Sequence, residues 1–192
     1  MGREFELKYA TTADVQSAIM QVYGPWHTIQ METTYFDTAC GQLSARHMTL
    51  RLRKENDCTV CTLKTPLPDG SRGEWECHAS EITEGIATLI QLGAPKELAT
   101  LTQAGVIPHC GARFTRRITT VATADGTAEL ALDAGVLLGG SKQVALCEVE
   151  VELKSGSDAA AVALAQTLST QYYLTEEPKS KFRRAMDLAM GE

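Results

Sequence analysis

Charged side chains recur at every second position in several short segments of this chain, a spacing that gathers acids and bases on single strand faces. In Glu4-Phe5-Glu6-Leu7-Lys8 the two carboxylates and the amine share one face, and Phe5 and Leu7 take the other. Same-face neighbours lie about 6.6 Å apart along a strand. Carboxylates at that separation can share divalent cations, and magnesium or manganese suits them because hard cations prefer oxygen ligands and keep waters and phosphates in their shell. The pattern recurs in both signs. Arg51 and Arg53 alternate with Leu50 and Leu52, Lys64 follows Leu63, Arg72, Glu74 and Glu76 share a phase, and Glu148, Glu150 and Glu152 alternate with Val149 and Val151. Any one such strand is most often a sheet face turned to water. As a set the signs segregate, with glutamates on the first and last strands and bases on those between. A sheet closing on itself would hold carboxylates at one wall and cations around the rest, which suits a metal-bound polyanion.

The elements that must position these residues follow from periodicity and punctuation. A strand over 3–9 is followed by a helix over about 13–22, capped by Thr12 or Asp14 and stopped by Gly24-Pro25. Strands are expected at about 28–38, 48–55, 58–65 and 72–80. Ile86, Leu89, Ile90 and Leu92 stand at helical spacing in 83–92, and a second short helix follows at 96–104. Strands return at about 113–123, 127–133 and 144–154, the first two joined by an Asp125-Gly126 hairpin signal. An alanine-rich helix at 158–169 and a basic one from about 179 to 189 close the chain. This order predicts an α+β fold in which helices decorate an antiparallel sheet, with residues 1–192 forming a single domain.

Bulk properties narrow the function. The 192 residues are 44% hydrophobic, enough for a proper core, and the net charge of -6 argues against nucleic acid or anionic membranes as partners, since both need an extended basic surface. Residues 1–10 show no signal-peptide pattern, and no stretch approaches the roughly 18 apolar residues of a membrane span. A cytoplasmic location is the expectation. The six cysteines are expected to be reduced: Cys58 and Cys61 have the spacing of half a zinc site, but no second close pair follows. His27, His47, His78 and His109 show no mutual spacing and receive no catalytic role.

The ordered set of motifs resembles the CYTH superfamily, the triphosphate tunnel metalloenzymes, in its bacterial inorganic triphosphatase-like branch. The matches are Glu4-Phe5-Glu6-Leu7-Lys8, Tyr35-Phe36-Asp37-Thr38, Leu50-Arg51-Leu52-Arg53, Thr62-Leu63-Lys64, Arg72-Gly73-Glu74-Trp75-Glu76, Leu132-Asp133, Glu148-Val149-Glu150-Val151-Glu152 and Ser180-Lys181, running in family order along almost the whole chain. The proline that commonly follows the Tyr-Phe-Asp-Thr motif is replaced here by Ala39. The resemblance implies an eight-stranded antiparallel β-barrel, a triphosphate tunnel with helices packed outside. It implies that Glu4, Glu6, Glu148 and Glu150 bind the metals, with Glu152 and Asp133 as supporting ligands. It assigns Lys8, Arg51, Arg53, Lys64, Arg116 and Lys181 to phosphate oxygens, and Arg72, Glu74 and Glu76 to the tunnel wall, Arg72 facing substrate. Glu4, Glu6, Lys8, Glu148 and Glu150 form the catalytic set. In Arg113-Phe114-Thr115-Arg116-Arg117 the phase favours Arg116, and Arg183 and Arg184 read equally as site or surface residues.

The implied reaction is hydrolysis of a triphosphate with Mg2+ or Mn2+, inorganic tripolyphosphate going to pyrophosphate and phosphate by two-metal activation of water. Trp26 and Trp75 read as packing residues, which leaves no aromatic platform assigned to a base. The alternatives are a class IV adenylyl cyclase, a thiamine or nucleoside triphosphatase, and a non-catalytic polyphosphate-binding module. The expected partner is a small triphosphate, and homodimers occur in that family.

Overall fold

The computed structural model describes residues 5–67 and 72–191, and only the backbone of Arg72. Strand β1 (Glu6–Ala10) leads into helix α1 (Ala13–Val22), where the Thr12 side chain accepts from the Val15 amide and caps the helix as expected. The long β2 (His27–Asp37), β3 (Thr49–Glu55), β4 (Cys58–Pro66) and β5 (Arg72–His78) follow. Helices α2 (Ile82–Gln91) and α3 (Glu97–Leu101) then precede β6 (Ile107–Thr123), β7 (Gly126–Gly139) and β8 (Lys142–Gly156). Helix α4 (Asp158–Tyr172), the two-residue β9 (Thr175–Glu176) and α5 (Lys181–Met190) complete the order.

All strands join one antiparallel sheet in the order β5-β4-β3-β2-β6-β7-β8-β1-β9. The α+β expectation therefore holds, but the eight-stranded closed barrel does not: among the described residues the sheet has nine strands and is open. The physical reason lies at β1. Its outer edge is taken by β9 through Tyr9↔Glu176 and Ala10↔Thr175, and among the described residues no ladder joins it to β5. A two-residue strand carries no periodicity, so nothing in the sequence marks it. The sheet nevertheless curls enough for side chains from all eight longer strands to line one cavity.

Apolar residues alternating with the charged ones pack on the opposite sheet face. Leu130, Leu132, Val149 and Val151 meet Ile19 of α1 and Ala161, Leu164, Ala165 and Leu168 of α4. Leu50, Cys61 and Leu63 meet Ile86 and Leu89 of α2 and Leu98 of α3. Strands β3, β4, β7 and β8 are thus held by burial on one face while their charged face is left for the cavity.

Strands β6 and β7 extend beyond the expected 113–123 and 127–133, because Cys110, Ala112 and Leu137 pack with Ala185 of α5 at their far ends. That segment is small and apolar without alternation, so its period is silent. Gly139 allows the contact: a Cβ there would stand 2.5 Å from the Ala189 nitrogen and 2.6 Å from the Ala185 oxygen. All six cysteines are free thiols, and burial pushes Cys61 up to about 12, which makes it a packing residue without thiolate chemistry.

The connection after β2 is organised by Asp37, whose carboxylate accepts from the amides of Thr38 at 2.7 Å, Leu43 at 2.8 Å and Ser44 at 2.9 Å. Burial alone would raise its pKa, but the hydrogen bonds from Ser44, Leu43 and Thr38 hold it below the usual carboxylate value. Asp37→Ala leaves those amides without an acceptor and is expected to lower stability by about 3 kcal/mol in chemical denaturation. A carboxyl whose pKa is depressed on folding stabilises the fold above its unfolded pKa, and the contribution fades as pH falls through the folded value. The gap between wild type and Asp37→Ala should therefore be full at neutral pH and shrink below the ordinary value of 3.8.

Candidate active site

The cavity has a volume of about 930 Å³ and two chemically distinct walls. Register fixes who faces whom, because directly opposed residues in an antiparallel pair project from the same face. Thr62 stands opposite Arg51 and Glu76, and Lys64 opposite Thr49 and Glu74, which assembles a basic wall from β3 and β4 with carboxylates from β5 beside it. On the other side Glu6 stands opposite Glu152, which stands opposite Glu129, and Lys8 stands opposite Glu150. Between the walls, β2 and β6 contribute Ile29, Met31, Tyr35, Phe114, Arg116 and Ile118.

The residues of the acidic wall sort into two levels. At the level covered by α5, Asp133 and Glu148 are fully buried and Glu150 nearly so, and their carboxylate oxygens lie within 4.8 Å of one another. Three cations interleave with them. Arg116 donates through Nε to Asp133 Oδ1 at 2.8 Å and through Nη2 to Asp133 Oδ2 at 2.7 Å, and it also reaches Glu150 Oε2. Lys181 Nζ lies 2.8 Å from Asp133 Oδ2 and 2.5 Å from both Glu148 Oε2 and Glu150 Oε1. Arg184 pairs with Glu148 Oε1 and, at 3.0 Å, with Glu177 Oε2. At the outer level Glu152 and Glu129 share Lys154, at 3.0 and 3.7 Å.

These contacts set the protonation states. Burial by itself would raise the Glu150 carboxyl, but Lys181 and Arg116 against it bring it down to about 2. Burial would likewise lower Lys181, and Glu150, Asp133 and Glu148 together hold it well above the usual lysine range. On the basic wall, burial and the neighbouring Arg51 lower Arg53, the mark of cations crowded together for an anion. The Nε atoms of Arg51 and Arg53 are buried without a hydrogen-bond partner among the described residues.

The structure brings Glu6, Lys8, Glu150, Glu152, Arg51, Arg53, Lys64, Arg116 and Lys181 to one cavity, with Asp133 and Glu148 directly beneath it. The expectations for Glu4 and for the Arg72 side chain fall outside the described residues. Of the three arginines whose phase was open, Arg116 points inward, while Arg113 pairs with Glu32 on the outer face at 3.1 Å. Arg183 is an exposed partner of Asp187, and Arg184 belongs to the buried cluster. Its signal was its place three residues after Lys181, on the same side of α5. Glu129 and Gln16 escaped sequence reading. Glu129 keeps phase with Asp133 on β7. Gln16 is a polar residue on the buried side of α1, and its side-chain amide donates to the backbone carbonyls of Asp133 and Glu148, both at 2.9 Å, so it ties together the strands that carry the cluster.

Comparison with known proteins follows the same direction. A family profile described as the CYTH domain matches residues 2–186. A curated inorganic triphosphatase from Haemophilus influenzae is 26% identical over 164 residues, covering 82% of this chain and 47% of the relative, so the chain spans about half the length of the protein it matches. Among solved structures, an adenylyl cyclase from Hippeastrum described as having a dominant triphosphatase activity superposes with a TM-score of 0.64 at 17% identity, covering 98% of this chain and 96% of the other. A Bacillus halodurans protein proposed to be an adenylate cyclase gives 0.59 at 18% identity, covering 95% and 96%. At these identities the structural likeness establishes the fold. Among the described residues, no helix is long and apolar enough to cross a membrane.

Proposed function

Because the chain belongs to the CYTH domain family, we propose that its cavity hydrolyses a triphosphate, with inorganic tripolyphosphate as substrate and pyrophosphate and phosphate as products. The observation that carries this reading is the division of one cavity into a wall of Arg51, Arg53 and Lys64 and a wall of glutamates. Phosphoryl transfer asks for little covalent work from a protein and much positioning and charge neutralisation. Guanidinium forks on β3 suit pairs of phosphate oxygens, with Lys64 and Lys8 as point charges.

The donor set fits a hard divalent cation such as Mg2+ or Mn2+. Charge decides the level. In the buried cluster Asp133, Glu148, Glu150 and the Glu177 that shares Arg184 face four cations among the described residues, Arg116, Lys181, Arg184 and Lys8, so no net negative charge is left for a metal. At the outer level Glu129 and Glu152 share Lys154 and Glu6 stands opposite Glu152, so carboxylates of three strands meet where the cavity is open. Glu6 and Glu152, with Glu150 below them, would hold the ion, and Glu4 joins them from its place in the Glu-x-Glu-x-Lys motif. Such an ion supplies neutralisation of phosphate charge and a lowered pKa for a bound water. Asp133 and Glu148 serve from beneath, fixing Arg116 and Lys181 in place.

The test is product analysis of purified protein incubated with tripolyphosphate, ATP or thiamine triphosphate and Mg2+ or Mn2+. Orthophosphate is expected, fastest from tripolyphosphate, and chelation should abolish it. Cyclic AMP and pyrophosphate from ATP would assign a cyclase instead. Binding without any product would leave a polyphosphate-binding module.

A further inference from the structure

The cations of the basic wall are each held by a carboxylate of the same wall. Glu76 Oε1 accepts from the Thr62 hydroxyl at 2.8 Å and lies 3.7 Å from Arg51 Nη2. Glu74 lies 3.3 Å from Lys64, and Glu55 pairs with Arg53. These contacts repeat along the wall: Lys64 with Glu74, Arg51 with Glu76, then Arg53 with Glu55, at successive positions of the β3–β4–β5 ladder. Successive levels are about 6.6 Å apart by strand rise. Glu74 and Glu76 come from β5, an edge strand of the open sheet, and the Glu76 side chain is 45% exposed, so it can turn to water when its partner is taken.

An anion entering this wall therefore exchanges with a resident carboxylate at every cation it touches. An orthophosphate spans about one level and exchanges one weak, solvent-screened pair for another, with little net gain. A chain reaching Arg51, Arg53 and Lys64 together makes all its contacts while immobilised once, the advantage of multivalent attachment. We propose that Glu76, seconded by Glu74, acts as a resident competitor on the basic wall, re-forming its ion pair as an anion departs, so that affinity for the cleaved fragments stays low enough for their release. This rests on the triphosphate reading above and adds to it how product leaves.

Glu76→Gln tests the idea cleanly, because the amide oxygen can still accept from Thr62 while the charge is gone. Binding of tripolyphosphate and of pyrophosphate, each with Mg2+, is measured by calorimetry on the wild type, on Glu76→Gln, on the Glu74→Gln/Glu76→Gln double variant, and on Glu32→Gln. The last removes one negative charge from the outer face, where Glu32 pairs with Arg113. Glu76→Gln is expected to tighten pyrophosphate and tripolyphosphate alike about three- to fivefold, the scale of one exposed ion pair. The double variant should go further, Glu32→Gln should change neither, and steady-state kinetics should show stronger product inhibition by pyrophosphate in Glu76→Gln. An unchanged affinity for both anions in Glu76→Gln overturns the proposal, as does an equal effect of Glu32→Gln. If the wild type hydrolyses tripolyphosphate while both affinities stay fixed in Glu76→Gln, only the role of Glu76 fails. If the wild type binds neither anion, the triphosphate reading fails with it.

Discussion

Replacing Glu150 with Gln is expected to reduce turnover at least about hundredfold, the scale of removing one preorganised charge, and to lower stability by about 3–5 kcal/mol. Glu150 sits where two tasks meet. It lines the cavity, and it accepts from Lys181 at 2.5 Å and from Arg116. A neutral amide would leave Lys181 and Arg116 without one of the carboxylates they share in a buried cluster, and an uncompensated buried charge is what makes breaking such a cluster expensive. From sequence alone, with Glu150 read as a metal ligand on a strand, this substitution is expected to abolish turnover and spare the fold. The cluster changes the second half of that expectation.

The pH dependence separates the two tasks. The Glu150 carboxyl is depressed to about 2 from an ordinary 4.5, so its contribution to stability is fully present above 4.5 and is lost as pH falls toward 2. The stability gap between wild type and Glu150→Gln should thus be constant from pH 7 to about 5 and close in stronger acid. Chemical denaturation across that range checks it. A variant as stable as wild type at pH 7 would show that the cluster does not hold the fold through Glu150.

Lys181→Ala is expected to give the second large effect, because it removes the ammonium that three carboxylates share. Without it, Asp133, Glu148 and Glu150 are left with Arg116 and Arg184, and the loss of a buried partner should lower stability by about 3–5 kcal/mol in the absence of metal. The space vacated is ringed by oxygens within 4.8 Å of one another, a ligand set that suits Mn2+ or Mg2+. The variant should therefore gain a cation site, read as an additional Mn2+ equivalent in calorimetry and as a larger Mn2+-dependent rise in Tm than wild type shows. No additional equivalent in a folded Lys181→Ala protein would mean that the buried carboxylates do not form a cage for a cation. Activity should fall as well, since Lys181 also lines the cavity.

Much of this protein was legible in residue order because strands with one apolar and one charged face carry a period of two. Glu6 and Lys8, Arg51 and Arg53, and Glu148 through Glu152 declared their shared faces, and the alternating leucines and valines declared which side would be covered by helices. The segregation of charge sign among strands was also visible, and with it a cavity with an acidic and a basic side. Period two says which residues share a face. It says nothing about depth along the strand, about which strand lies beside which, or about where a helix will end.

Those matters belong to the tertiary structure. Strand order placed Glu129 beside Glu152 and Asp133 beside Glu148, and the docking of α5 over small residues at Gly139 drove Lys181 and Arg184 into the carboxylates below. The same docking divided one line of glutamates into a buried, neutralised level and an open one. The two-residue β9 took the edge of β1, and among the described residues the sheet is open. Chemistry that depends on residue type and face was therefore written in the sequence, whereas charge balance was decided by contacts between residues as distant in the chain as Arg116, Asp133, Glu150 and Lys181, because Coulomb energy depends on separation in space and on burial.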